Sequence, residues 1–117
     1  MRGWCGILLA CCAAAQSFRV HSLPFVCANG EGPRKYMPGT MAGGVAAFDF
    51  DGDGLVDLFF PNGAALPTLA KQGPQHWHRL YRNRGALSFE DVTSSSGILQ
   101  EGYGMGATTG DIDGDRK

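Results

Sequence analysis

The 117-residue sequence contains no run of ~18 to 20 consecutive apolar residues, so it offers no membrane-spanning helix. It sustains no heptad pattern, which excludes a coiled coil, and no window of about ten residues carries helical periodicity. Basic charge is not in excess. Lys and Arg number 10 against 11 Asp and Glu, for a formal net charge of -1, which leaves nothing to hold a nucleic-acid backbone. Cysteine is scarce in the body of the chain: Cys5, Cys11 and Cys12 fall in an amino-terminal apolar stretch, and only Cys27 follows. One thiol builds no disulfide framework, and with no Cys or His at metal-ligand spacing Cys27 reads as a small apolar residue. What is abundant is glycine, 18 residues, roughly twice the usual ~7% share and the mark of a turn-rich chain. Seven of the eight aspartates fall in two clusters, Asp49, Asp51, Asp53 and Asp57, then Asp111, Asp113 and Asp115.

The amino terminus reads as an address. Arg2 supplies a positive charge, the apolar run Cys5 to Ala15 follows, and Ala13-Ala14-Ala15 offers small residues for cleavage before Gln16. Residues 1–15 are therefore expected to be a signal peptide that exports a secreted protein. A second processing reading stands beside it: Leu8-Leu9-Ala10-Cys11 resembles a bacterial lipobox, in which Cys11 would carry a lipid anchor in the cell envelope. A buried amino-terminal strand or helix is the plain alternative.

The remaining chain divides into short apolar runs separated by turn residues. Phe18 to Val26, Met41 to Phe50, Leu58 to Phe60, His76 to Asn83 and Leu87 to Thr93 are each of strand length, with Arg84-Gly85-Ala86 turning the last two into a hairpin. The fold class is all-β. Sliding the second acidic cluster onto the first aligns Asp111 with Asp49, Asp113 with Asp51 and Asp115 with Asp53, and Gly106 to Thr109 falls on Gly44 to Ala47. The period of about 60 residues is the size of a propeller blade. The expected organisation is a leader strand and loop over 16–40, a first repeat over 41–101 and the start of a second over 102–117. The chain thus reads as the amino-terminal part of a longer one, an incomplete propeller with open strand edges and marginal stability by itself.

The first cluster, Asp49-Phe50-Asp51-Gly52-Asp53-Gly54-Leu55-Val56-Asp57, places four carboxylates within nine residues. Such a loop repels itself unless a cation is present, and calcium (Ca2+) takes oxygen ligands in the flexible geometry that a tight loop can offer. Asp49, Asp51, Asp53 and Asp57 are candidate ligands, with Leu55 adding its backbone carbonyl and Gly54 taking the sharp turn. Magnesium demands a stricter octahedron, and zinc would want His or Cys. An EF-hand fails, because its twelfth position is Phe60 rather than Glu and strand-like runs flank the loop. A loop between two strands of a hairpin fits instead, with a solvated acidic turn as the plain alternative. In the second loop Arg116 stands where the first has Gly54, so Asp111, Asp113 and Asp115 are expected to bind weakly or not at all.

The segments V-A-A-F-D-F-D-G-D-G-L-V-D-L-F-F, H-R-L-Y-R-N-R-G-A-L-S-F-E-D-V-T-S-S-S-G-I and G-Y-G-M-G-A-T-T-G-D-I-D-G-D resemble the FG-GAP or VCBS repeat of cartilage acidic protein-like, ASPIC/UnbV-containing secreted proteins. The resemblance runs from about Phe25 to Lys117. It implies blades of an integrin α-like β-propeller with calcium in the blade loops, held by Asp49, Asp51, Asp53, the Leu55 carbonyl and Asp57. It implies export and no established catalytic activity, and the later blades and the ASPIC/UnbV segment are absent.

Other signals are weaker. His76 and His78 would share a strand face as a metal pair, but no third ligand is near. Trp77, Tyr81 and Phe89 read as packing aromatics rather than a sugar platform. Gly102 to Gly106 lacks the Lys-Ser/Thr and helix of a phosphate loop, and Ser94 to Ser96 lack a general base. The expected function is a non-enzymatic, exported calcium-binding repeat protein acting as an adhesion or interaction scaffold for an extracellular protein or glycan. A propeller module of an extracellular enzyme or glycan-binding protein, with its active domain elsewhere, is the alternative.

Overall fold

The structure is a computed structural model that describes residues 17–30 and 32–114. The expected signal segment 1–15, with Cys11, lies outside the described residues, as do Asp115 and Arg116. Among the described residues the fold is all-β. Strands β1 (Ala46–Phe48), β2 (Asp57–Phe60), β3 (Arg79–Asn83) and β4 (Phe89–Asp91) form one open antiparallel sheet in the order β1-β2-β3-β4. Three short 3-10 turns, Met37–Thr40, Pro74–His76 and Thr93–Ser95, complete the regular structure. No helix of the described residues is long and apolar enough to cross a membrane.

Register explains the packing. Leu58 lies opposite Tyr81 and Phe60 opposite Arg79, so these four share one face, while Phe59 and Leu80 share the other. Leu80 and Tyr81 are buried. The Phe60 ring meets Tyr81 edge-to-face at 5.9 Å and stacks with Phe25 at 4.7 Å. Beyond β3, the Thr93 hydroxyl accepts the Leu80 N–H at 3.0 Å, and Val92 donates to the Leu80 carbonyl at 3.0 Å. The outer edge is charged, with Arg79 paired to Asp91 and Arg84 to Glu90, which discourages a further strand from pairing there.

Several strand expectations shorten. Phe18 to Val26 joins no ladder; its Phe25 instead serves as a packing aromatic. Of Met41 to Phe50 only Ala46–Phe48 pairs, and of His76 to Asn83 only Arg79–Asn83, because Pro74 lacks an N–H and starts a 3-10 turn through His76. His76 and His78 therefore do not share a strand face. The last hairpin turn extends through Leu87, since Ala86 and Leu87 both take left-handed backbone angles (φ 50° and 57°), and β4 starts only at Phe89. Gly106 to Thr109, aligned with Gly44 to Ala47, forms no strand.

The 18-residue connection between β2 and β3 is organised by Asn62, which is 2% exposed. Its Oδ1 accepts the N–H groups of Ala28 (2.7 Å) and Gly63 (3.0 Å). Its Nδ2 faces the carbonyls of Gln75 (3.0 Å), Trp77 (3.2 Å) and Val26 (3.4 Å). Lys71 closes the same connection, its ammonium donating to the carbonyls of Asn62, Gly63 and His76 at 2.7 to 2.8 Å. By contrast the Tyr81 hydroxyl, on a residue 1% exposed, has no hydrogen-bond partner among the described residues. Asn62→Ala is expected to cost about 3 kcal/mol or more by leaving several backbone groups unsatisfied, whereas Tyr81→Phe is expected to be neutral or stabilising by about 1 kcal/mol. Urea denaturation of the two variants checks both signs.

Candidate metal centre

The acidic loop is the β1–β2 hairpin connection, as its flanking apolar runs imply, and its shape is fixed by aspartates accepting backbone N–H groups. Asp49 Oδ1 accepts from Gly52 at 2.8 Å and Asp53 at 3.1 Å, and its Oδ2 accepts from Gly54 at 2.8 Å. These bonds, led by that from Gly54, hold the Asp49 carboxyl below the usual carboxylate range. Asp51 Oδ1 accepts the Asp53 N–H at 3.3 Å and Asp53 Oδ1 the Leu55 N–H at 2.9 Å. Gly52 and Gly54 take the left-handed angles (φ 77° and 84°) that let the chain fold back over its own carboxylates.

Asp57 is different in kind. It is 0% exposed, at the first position of β2, and its carboxylate ties three parts of the chain together. Oδ2 accepts the Phe50 N–H at 3.0 Å, inside the loop, and Oδ1 accepts the Asn83 N–H at 2.7 Å, at the end of β3. Asn83 is itself buried and returns a bond from Nδ2 to the Val56 carbonyl at 3.0 Å.

One carboxylate oxygen from each of Asp49, Asp51 and Asp57 lies within 4.8 Å of the others. Oxygens on opposite sides of a calcium ion, each at about 2.3–2.6 Å, are separated by about 4.6–5.2 Å, so the three fit one coordination sphere. A carboxylate has about four acceptor sites, and the backbone bonds leave capacity on each. Asp53 does not join this group. Its Oδ2 lies 3.3 Å from Arg82 Nη2, which also approaches Asp51 Oδ2 at 2.6 Å. Leu55 lies on the exposed side of the loop, its N–H engaged by Asp53.

Arg82 and Asn83 are the site residues that the sequence did not reveal as such. They stand in the L-Y-R-N segment, but the connection from β2 to β3 is too long to fix a register in advance, and the register brings them to the loop. The second loop repeats the first turn. Asp111 Oδ1 accepts the Gly114 N–H at 2.7 Å, and Gly114 has the φ of 77° found at Gly52, 62 residues earlier. Asp111 and Asp49 both line an open cleft that also includes Phe48, Phe50, Thr108 and Thr109. Asp113 is exposed, and neither it nor Asp111 belongs to the three-carboxylate group.

Asp57→Asn is expected to lose about 3 kcal/mol of stability without metal, because the amide presents an NH2 to one of two backbone N–H donors in a dry setting. Arg82→Gln removes only partly exposed ion pairs and is expected to cost about 1 kcal/mol or less. Denaturant titration in the presence of a chelator separates them. Compared with known protein families, curated proteins and solved structures, the chain gives no match, so its reading rests on its own residues and geometry.

Proposed function

We infer that the chain is an exported calcium-binding repeat protein of the FG-GAP/VCBS type, in which the ion is structural and the β-sheet is a blade of a propeller that serves as an interaction scaffold. The observation that carries this reading is the convergence of Asp49, Asp51 and Asp57 at the end of one hairpin. An ion there would neutralise the clustered charge and fasten the loop to β2 and, through Asp57 and Asn83, to β3. Asp53 would enter the sphere by leaving Arg82, and the Leu55 carbonyl would supply a backbone oxygen. Two further features support the propeller. Four antiparallel strands in chain order are the make-up of one blade, and the acidic turn recurs at a 62-residue spacing. The partner of such a scaffold would be an extracellular protein or glycan.

Asp51 is the position for a test, since it accepts one long backbone bond, from the Asp53 N–H at 3.3 Å, which an amide oxygen can still accept, and otherwise makes the partly exposed pair with Arg82. Asp49 and Asp57 each hold two or more N–H groups. Calorimetric titration is expected to show calcium uptake by the intact chain, and Asp51→Asn is expected to weaken it by about tenfold or more while changing metal-free stability by about 1 kcal/mol or less. No uptake by the intact chain, or equal uptake by the variant, would sink the reading.

A further inference from the structure

The segment that follows the sheet, residues 100–104, is fastened to the β2–β3 connection around one imidazole. His78 is 8% exposed, and its Nδ1 accepts the Asn62 N–H at 2.8 Å. An accepting Nδ1 carries a lone pair, so the ring proton sits on Nε2, which faces the Glu101 carbonyl at 3.4 Å. The Gln100 side chain brackets the backbone of the same residue, its Oε1 accepting the His78 N–H at 2.7 Å and its Nε2 donating to the His78 carbonyl at 3.4 Å. Gly104 closes the arrangement. Its N–H donates to the Asn62 carbonyl at 3.0 Å, and a Cβ at this position would stand 2.9 Å from His78 Cε1 and 2.8 Å from Pro61 Cβ.

We propose that His78 is an acid-sensitive latch: a proton taken up at Nδ1 breaks the Asn62 bond and loosens the Asn62 peptide, whose carbonyl holds the Gly104 N–H of the segment that follows the sheet. Once both ring nitrogens carry protons, the Asn62 N–H and the Nδ1–H are two donors facing each other in a buried setting, which neither can satisfy. The charged group that faces the ring is the Lys71 ammonium, held on the Asn62 carbonyl, and it repels an imidazolium. Among the described residues the ring meets no compensating charge from the other elements: β2 contributes the Phe59 ring at 5.9 Å, and segment 100–104 contributes the Glu101 carbonyl, whose bond to Nε2 favours the protonated ring but is outweighed by burial and Lys71. Arg79, the next residue, is turned to Asp91 and the Pro74 carbonyl. Burial first and Lys71 second hold the imidazole below its ordinary value of 6.5. Since the folded value is depressed, the latch contributes its full stability above about pH 6.5 and loses it as pH falls through the folded value.

Release has a defined reach. Tyr103 lies inside the latched segment, and its hydroxyl is 2.9 Å from the Asn29 carbonyl and 3.1 Å from the Pro38 carbonyl. Unlatching therefore also weakens the hold of this hydroxyl on the Asn29 and Pro38 carbonyls. The device is independent of the metal reading, because it involves none of the carboxylates of the acidic loop.

The test is nuclear magnetic resonance on the intact chain with a chelator present. At pH 7.5 long-range proton–nitrogen correlations are expected to show His78 as the Nε2–H tautomer. Protection of the Gly104 amide from exchange, corrected for the intrinsic effect of pH, is expected to fall about tenfold or more between pH 7.5 and 5. In His78→Asn, whose side-chain oxygen can accept the Asn62 N–H without titrating, protection is expected to be the same at both pH values. An Nδ1–H tautomer, an unchanged Gly104 amide in the wild-type chain, or the same loss in His78→Asn would each overturn the latch. If the variant does not fold, the tautomer and the wild-type amide decide alone.

Discussion

The Asp57 carboxylate accepts one backbone N–H from the acidic loop and one from the end of β3, while its own residue opens β2. A single side chain thereby sets three things: where the loop ends, how β2 enters the sheet and which residue of β3 arrives beside it. With no exposure to water, the group depends wholly on these donors for the hydrogen bonds it gave up on folding. The neighbouring acids can then be arranged around a fixed point. Asp49 folds the loop over its own carboxylate through three N–H bonds, and Asp51 and Asp53 each close one smaller turn within it. Remove the anchor and the loop keeps its turns but loses its buried tie to β3, leaving the partly exposed Arg82 pairs.

A second polar hub works at the opposite end of β2 with other chemistry. Asn62 offers both an acceptor and donors, so it can bind N–H groups and carbonyls at once, and it uses them to draw the 26–28 segment and the β2–β3 connection together. Lys71 adds an ammonium whose three donors match three carbonyls, while burial pushes its pKa down to about 8. The two hubs flank a sheet whose buried apolar set is small, Ala46, Leu80 and Tyr81 within the strands. In so thin a core, buried polar groups carry the positional information that a larger protein would take from side-chain packing.

The sequence made the local features legible and left the long-range ones hidden. The hairpin around Asp49 to Asp57 follows from apolar runs on either side of an Asp-Gly loop, and the β3–β4 hairpin follows from Arg84-Gly85-Ala86 in the same way. Asn62 reads as a mere strand stop in Pro61-Asn62-Gly63, because turn and hub use the same residue type, and only the fold brings Ala28 and Trp77 to its amide. Phe18 to Val26 has the composition of a strand but joins no edge of the sheet: β4 is guarded by ion pairs, and Phe25 is used instead to pack on Phe60. Arg82 is the most instructive omission. Standing between Arg79 and Arg84 in R-L-Y-R-N-R, it reads as one more solvated Arg, and it becomes part of the acidic loop only through a register that no local signal specifies.

The two acidic loops separate what the motif does alone from what the sheet adds. Asp111 to Gly114 reproduces the bond and the backbone angle of Asp49 to Gly52, although Phe50 is half-buried and its counterpart Ile112 is fully exposed. The turn is therefore a property of the four residues D-x-D-G: a carboxylate that accepts an N–H three residues on, and a glycine free to take a positive φ. Convergence of carboxylates is not. In the first loop it needs Asp57, whose place is fixed by β2 and by Asn83 from β3, elements far from the motif in sequence. The turn is thus written in four local residues, and the gathering of three carboxylates beside it is a property of the sheet.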